Sequence, residues 1–180
     1  NTNTFINPIP VKYCKNINLA NKLRKLCEDQ IKEETIWIKA GGTGIQALKK
    51  LKEIEPFTAK VFKKRLVKSG QKVKINQHTK GIEVEVYYFI KKSFFDFKGK
   101  VTKSNVTKFI KFMGPCFEIV GFRQRNKKFT YLGDICGDFG FNIKFVVGRK
   151  TKFKKLNLNN LKTSLVSKKN GVKVNGNTNI

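Results

Sequence analysis

At 180 residues the chain is long enough for one real core with appendages, or for two small units. Its 39 Lys and Arg against 12 Asp and Glu give a formal charge of +27, so an unpartnered compact state carries strong self-repulsion and a polyanionic partner is expected. Apolar residues at 39% and aromatic residues at 12% exclude a merely disordered basic tail, and no apolar run approaches the ~18 residues of a membrane-spanning helix.

Residues Asn1 to Cys14 are polar and broken by Pro8 and Pro10, which reads as an extended arm. From Asn16 to Glu34 the apolar positions Ile17, Leu19, Leu23, Leu26 and Ile31 follow a 3.6-residue period, with Asn16 or Asn18 as N-cap, and predict a helix. Its acids Glu28, Asp29, Glu33 and Glu34 gather at the end that the helix dipole disfavours, either as a solvated face or as partners of nearby lysines. Thr35 to Ile38 is a short β-prone piece before a glycine turn, and a second helix is predicted from Thr43 to Glu53. Gly41, Gly42 and Gly44 lack the Gly-Lys-Ser/Thr ending of a phosphate-binding loop and the spacing of a dinucleotide fingerprint, so a plain turn is expected.

From Arg65 the pattern is β. Lys72 to Ile75 alternates, and Ile82 to Ile90 alternates over its whole length, placing Ile82, Val84, Val86, Tyr88 and Ile90 on one face toward a core. Glu83 and Glu85 then fall on the solvent face, where they balance neighbouring lysines. Short strands are also predicted around Gly99, at Cys116 to Phe122, Lys128 to Ile135 and Phe141 to Val147, a spacing that suggests a small barrel. Thr163 to Ile180 is rich in Asn and Gly and reads as a flexible tail.

Catalytic and metal chemistry find little support in this pattern. Cys14, Cys27, Cys116 and Cys136 form no C-x-x-C pair and are expected as reduced thiols, and with His78 the only histidine a zinc site of ordinary spacing is not expected. His78 is expected as an exposed turn residue, and Asp134 and Asp138 as turn residues flanking Cys136 and Gly137. Basic runs are more telling. Arg123, Arg125, Lys127 and Lys128 make one, and Arg149, Lys150, Lys152, Lys154 and Lys155 another, with Phe129 and Tyr131 nearby as possible base-stacking partners. The cations form no basic amphipathic helix, which favours nucleic acid over an acidic lipid surface. Lysine prevails over arginine beside abundant Asn, Ile and Phe, the usage of an A+T-rich gene, so the lysine excess alone carries little chemistry.

Several segments resemble the bacterial-type ribosomal large-subunit protein L nineteen family. "SGQKVKI" stands where that family has a proline-glycine-aspartate turn, "FKGKV" from Phe97 resembles its phenylalanine-glutamate-glycine motif with Lys98 for the acid, and "FEIV" from Phe117 resembles its central strand. "GRKTKFKKLNLNNL" resembles its basic close, with asparagines for tyrosines. The resemblance spans about Gly70 to Leu161 and leaves 35–66 without a family counterpart. It implies an α+β fold: N-terminal helices, then a small SH3-like antiparallel β-barrel with an extended C-terminal tail.

The expected organisation is an N-terminal arm and helical extension over 1–66, a basic barrel over 67–162, and a flexible tail over 163–180. The expected function is that of a structural constituent of the ribosome, not an enzyme. Large-subunit ribosomal RNA would be held by Lys98 and the two basic runs, beside neighbouring ribosomal proteins, with no cofactor, metal, membrane or small-molecule substrate. A mitochondrial ribosome is the expected location, with a plastid-type organelle or the cytoplasm as alternatives. The alternatives in function are a free RNA- or DNA-binding regulator or chaperone, and an RNA-processing enzyme using Asp134, Asp138 or His78.

Overall fold

The computed structural model describes residues 4–44, 49, 56–125, 128–155 and 161–177. Most of the helix expected from Thr43 to Glu53 lies outside these residues, as do Lys127 and the asparagines from Asn157.

The arm expected as extended through Cys14 instead ends in a helical turn, and the expected helix follows it. After the single turn α1 (Val11–Cys14), the Asn16 side-chain oxygen accepts hydrogen bonds from the backbone N–H groups of Asn18 (2.9 Å) and Leu19 (3.2 Å), and α2 runs Ile17–Asp29. The buried face of α2 is Ala20, Arg24 and Glu28, four residues apart, while Leu19 and Leu26 stay exposed. Its partner decides this. Helix α3 (Leu132–Gly137) brings Leu132 and Cys136 against Ala20 and Phe57, and a Cβ on Gly133 would strike the Cys14 backbone, so only glycine permits the approach. Arg24 is held in its buried place by an ion pair with Glu28 and by hydrogen bonds from its guanidinium to the Thr58 carbonyl and the Cys136 sulfur.

The acids expected as a solvated face or as lysine partners take partners. Asp29 pairs with Lys60 at 2.9 Å, Glu34 with Lys63 at 2.7 Å and Glu33 with Lys64 at 3.3 Å, fastening the end of α2 to the strands that follow. Such exposed pairs contribute about 0–1 kcal/mol each, so they orient more than they stabilise.

Strands β1 (Thr35–Gly41) and β2 (Phe57–Phe62) pair antiparallel in a two-stranded ribbon. The main sheet contains β3 (Leu66–Lys68), β4 (Thr79–Ile90), β5 (Ile110–Gly121) and β6 (Asn142–Val147) in the order β3-β6-β5-β4. The β3–β6 pair is parallel and the others antiparallel, and β7 (Thr151–Lys152) adds to the start of β5 at Phe112 and Met113. This is an open, mixed sheet, and the expected SH3-like barrel is absent among the described residues.

Four element expectations change with it. Lys72 to Ile75 forms no strand, and the segment around Gly99 is turns. The stretch Lys128 to Ile135 turns into α3 because the Asp134 carboxylate accepts from the backbone N–H groups of Thr130 and Tyr131 and stops the chain from extending. In place of an extended tail, β8 (Lys162–Val166) and β9 (Lys173–Asn177) form an antiparallel hairpin.

On β4 the ribbon covers Tyr87, while Glu83 and Glu85 on the same face stay exposed, as alternation expected. Pairing sets Glu83 opposite Glu118 and Glu85 opposite Cys116, and the ribbon lies over this face, with Trp37 stacked on Tyr87 at 5.1 Å and edge-on to Phe145 at 6.3 Å. The expected core residues Ile82 and Val84 are 51% and 37% exposed. Because Trp37 joins ribbon and sheet, Trp37→Ala should destabilise the protein by about 3 kcal/mol. Urea unfolding followed by circular dichroism measures this; a cost below about 1 kcal/mol would show that the ribbon is not held there.

Candidate functional site

Two residues beyond Trp37, on the same side of β1, Lys39 points at the sheet. Its ammonium lies 2.5 and 2.7 Å from the two carboxylate oxygens of Glu118 and donates to the Gly140 carbonyl at 2.9 Å. Glu118 is 2% exposed, so this is a buried ion pair. Glu83 and Glu85 complete the cluster from β4, and one carboxylate oxygen from each of the three glutamates lies within 4.8 Å of the others.

A strained turn supplies the carbonyl that holds Lys39. Phe139, Gly140 and Phe141 have φ of 53°, 63° and 62°, three successive left-handed residues of which only one is glycine. Phe139 is held between the Arg65 and Arg123 guanidinium groups, 5.5 and 5.6 Å from its ring centre, and Arg123 is fixed by Asp138 at 2.7 Å. Burial, then the neighbouring Arg123 charge, pushes Arg65 down to about 10.

The three glutamates and Lys39 open onto a cleft of about 370 Å³. Its other lining is the glycine-rich turn Gly41, Gly42, Thr43 and Gly44, and an apolar wall of Phe57, Val120, Leu132, Ile135 and Phe141. The acids are crowded in it. Burial pushes Glu118 up to about 7, Glu83 and Glu85 add to this, and the Lys39 charge opposes it without cancelling it. The Glu85 carboxyl is raised by packed protein around it and then by Glu83, although its side chain keeps contact with solvent. Cys116, between them and the core, is pushed up to about 12 by burial and by Glu85 and Glu118, so its thiol stays protonated and inert.

The residues selected from the sequence for RNA lie elsewhere. Arg123 is engaged with Asp138 and Asn142, Arg125 and Lys128 are exposed at the C-terminal end of β5, and Lys127 is outside the described residues. Arg149, Lys150, Lys152, Lys154 and Lys155 are exposed near the N-terminal end of the same strand, roughly 30 Å away, with Lys98 toward that end. They form two separate patches. His78, expected as an exposed turn residue, is buried against the Phe5 ring at 4.7 Å. Asp134 and Asp138 cap and brace the backbone. The glutamates were legible as types but not as a site, because strict alternation assigns them to solvent; the usable signal was a Glu-x-Glu strand in a chain with few acids.

No protein-family model matches the sequence, and no curated protein matches it. Among solved structures, the chain is similar to 4-oxalocrotonate decarboxylase from Pseudomonas putida G7 complexed with magnesium and adipate, with TM-score 0.70 and 16% identity over 97% of this chain and 67% of that one. The same enzyme complexed with calcium and acetate matches with TM-score 0.71 and 14% identity over the same shares. At this identity the likeness establishes the fold, and it is not that of ribosomal protein L nineteen. The ribosomal resemblance, and with it the expected ribosomal RNA and protein partners, the RNA- or DNA-binding regulator, the non-enzymatic role and the mitochondrial ribosome, is overturned by this fold and by the carboxylate cluster. Its segments matched only as short basic and β-prone pieces, which a mixed sheet supplies equally well. Among the described residues no helix is long and apolar enough to cross a membrane.

Glu118 gives the cluster a pH signature. Its folded value of about 7 lies above an ordinary 4.5, so between these values the native state holds more protons than the unfolded chain, and stability falls as pH rises across that window. Urea midpoints of the metal-free protein should therefore drop from pH 4.5 to 7 on this account, and Glu118→Gln should flatten the slope. An unchanged slope in the variant would remove Glu118 as its source.

Proposed function

We propose that this chain is a divalent-metal-dependent lyase that decarboxylates a small oxo acid whose departing carboxylate sits on the carbon next to the oxo carbon. The observation that carries this reading is the convergence of Glu83, Glu85 and Glu118 beside the Lys39 ammonium in one cleft. The fold likeness to a decarboxylase complexed with magnesium and adipate, or with calcium and acetate, supports it.

The donor set fits a hard cation. All three groups are carboxylate oxygens, the kind of ligand that magnesium, calcium or manganese takes, and a single ammonium faces three acids whose mutual repulsion a divalent ion relieves. Glu83, Glu85 and Glu118 would hold the ion, which when bound supplies Lewis acidity toward an oxo oxygen.

The chain's own groups do the rest. When the bond to a carboxylate on the carbon next to the oxo carbon breaks, carbon dioxide leaves, the electron pair passes into the oxo group as an enolate, and the carbon that carried the carboxylate then takes a proton. Lys39 Nζ is the donor placed to give it, oriented by the Gly140 carbonyl and Glu118. Phe57, Leu132, Ile135 and Phe141 line the side of the cleft away from the charges and keep water from the substrate tail. The glycine-rich turn at Gly41 and Gly42 leaves room for the acid beside Lys39.

Carbon dioxide release from a panel of oxo acids whose carboxylate lies one carbon beyond the oxo carbon, against simple 2-oxo monocarboxylates as controls, with and without magnesium, tests this directly. Turnover should require the metal, and Lys39→Met should lower kcat by about 100-fold or more while magnesium binding by calorimetry persists. Glu85→Gln should instead weaken magnesium binding. Turnover indifferent to a chelator, or Lys39→Met as active as the parent, would refute the assignment.

A further inference from the structure

The lyase reading leaves most of the positive charge unused, and one end of the molecule concentrates it. Between β4 and β5 the chain makes an excursion over 91–109 that carries Lys91, Lys92, Lys98, Lys100, Lys103 and Lys108 against Asp96 alone. At its tip Phe95 is 73% exposed, Val101 42% and Phe97 39%. Apolar side chains this open, within a ring of lysines, are costly in water.

The excursion is a built structure. Its ends are joined by the Lys91 N–H donating to the Phe109 carbonyl at 2.6 Å, and the Lys91 ammonium donates to the Lys108 carbonyl at 2.6 Å. Phe109 is the buried anchor, with Phe94 and Phe97 against it at 5.4 and 5.0 Å. The Asn105 side chain closes the return turn, accepting from the Thr102 N–H and donating to the Lys100 carbonyl. Phe95 packs its ring edge-on to Phe94 and stays 73% exposed. On the same end of the sheet Lys150 lies over the rings of Phe89 and Phe112, and Lys152 sits on β7 opposite Phe112, extending the basic surface from the excursion onto the sheet.

We propose that this basic, aromatic pole docks the protein on an anionic lipid bilayer. Charge complementarity selects an anionic partner and disfavours a second copy of this chain, which would set lysines against lysines. The tip then selects lipid: Val101 has no π face to offer a nucleic-acid base, whereas Val101, Phe95 and Phe97 together suit the acyl boundary, and long lysine stems let their ammonium groups reach the headgroups around them. The carboxylate cleft lies farther along β4, from Glu85 back toward Glu83, so docking leaves its chemistry untouched.

Sedimentation of the full chain with phosphatidylcholine vesicles containing phosphatidylserine, against phosphatidylcholine alone, tests this at physiological salt. Binding to the anionic vesicles should be at least tenfold tighter and weaken steeply with added salt. Phe95→Ser should weaken it roughly tenfold by removing inserted apolar area. The double variant Lys98→Glu, Lys100→Glu should lose it by at least tenfold. Each variant changes exposed side chains, so unchanged circular dichroism and thermal midpoint confirm that folding is intact. Equal binding to neutral and anionic vesicles would overturn the proposal. So would full retention by Phe95→Ser, which would mean charge attraction without insertion, or tighter binding to an RNA homopolymer than to the anionic vesicles.

Discussion

A lysine ammonium and a glutamate carboxylate, shut together between a two-stranded ribbon and a larger sheet, set the terms for the rest of the molecule. Burying such a pair is a poor source of stability, since desolvation of both charges offsets most of their attraction. Lys39 and Glu118 stay together because Gly140 supplies a further acceptor and because Trp37, Tyr87 and Phe145 clamp the ribbon beside them. The arrangement is better understood as a site that the fold carries than as a device that holds the fold.

From that pair the unusual features of the structure follow. The turn Phe139–Phe141 accepts left-handed backbone at two phenylalanines, and the Arg65 and Arg123 stacks on Phe139 stabilise it there. Strand β4 sets Glu83 and Glu85, both exposed, on the side of the sheet that carries Glu118, while Ile82 and Val84 lie on the other side. Like charges directly opposite one another across a strand pair are unfavourable, and their retention at Glu83 and Glu118 accords with a cation as their counterpart.

Local chemistry was legible in the sequence and tertiary choice was not. The Asn16 cap, helix α2, the strand at β1 and the strands at β4, β5 and β6 follow from capping, periodicity and alternation, which act over a few residues. The fold class failed because alternating strands look alike whether they close into a barrel or pair in an open mixed sheet. Alternation also fixed the faces of β4 and left Glu83 and Glu85 exposed as expected, but Ile82 and Val84 on the other face are exposed too, so it did not tell where the cover would fall. Glu118 comes to Glu83 from 35 positions along the chain, so no local spacing marks the cluster. The charge of +27 described the surface and concealed a small acidic site within it.

The measurement that bears most directly on this account is crystallographic anomalous scattering from protein soaked in manganese. One manganese peak should lie between Glu83, Glu85 and Glu118 at roughly 2.2 Å from carboxylate oxygens, and be absent from the Glu83→Gln, Glu85→Gln double variant. An empty cleft at saturating manganese, or a peak bound elsewhere while the three glutamates remain unligated, would contradict it.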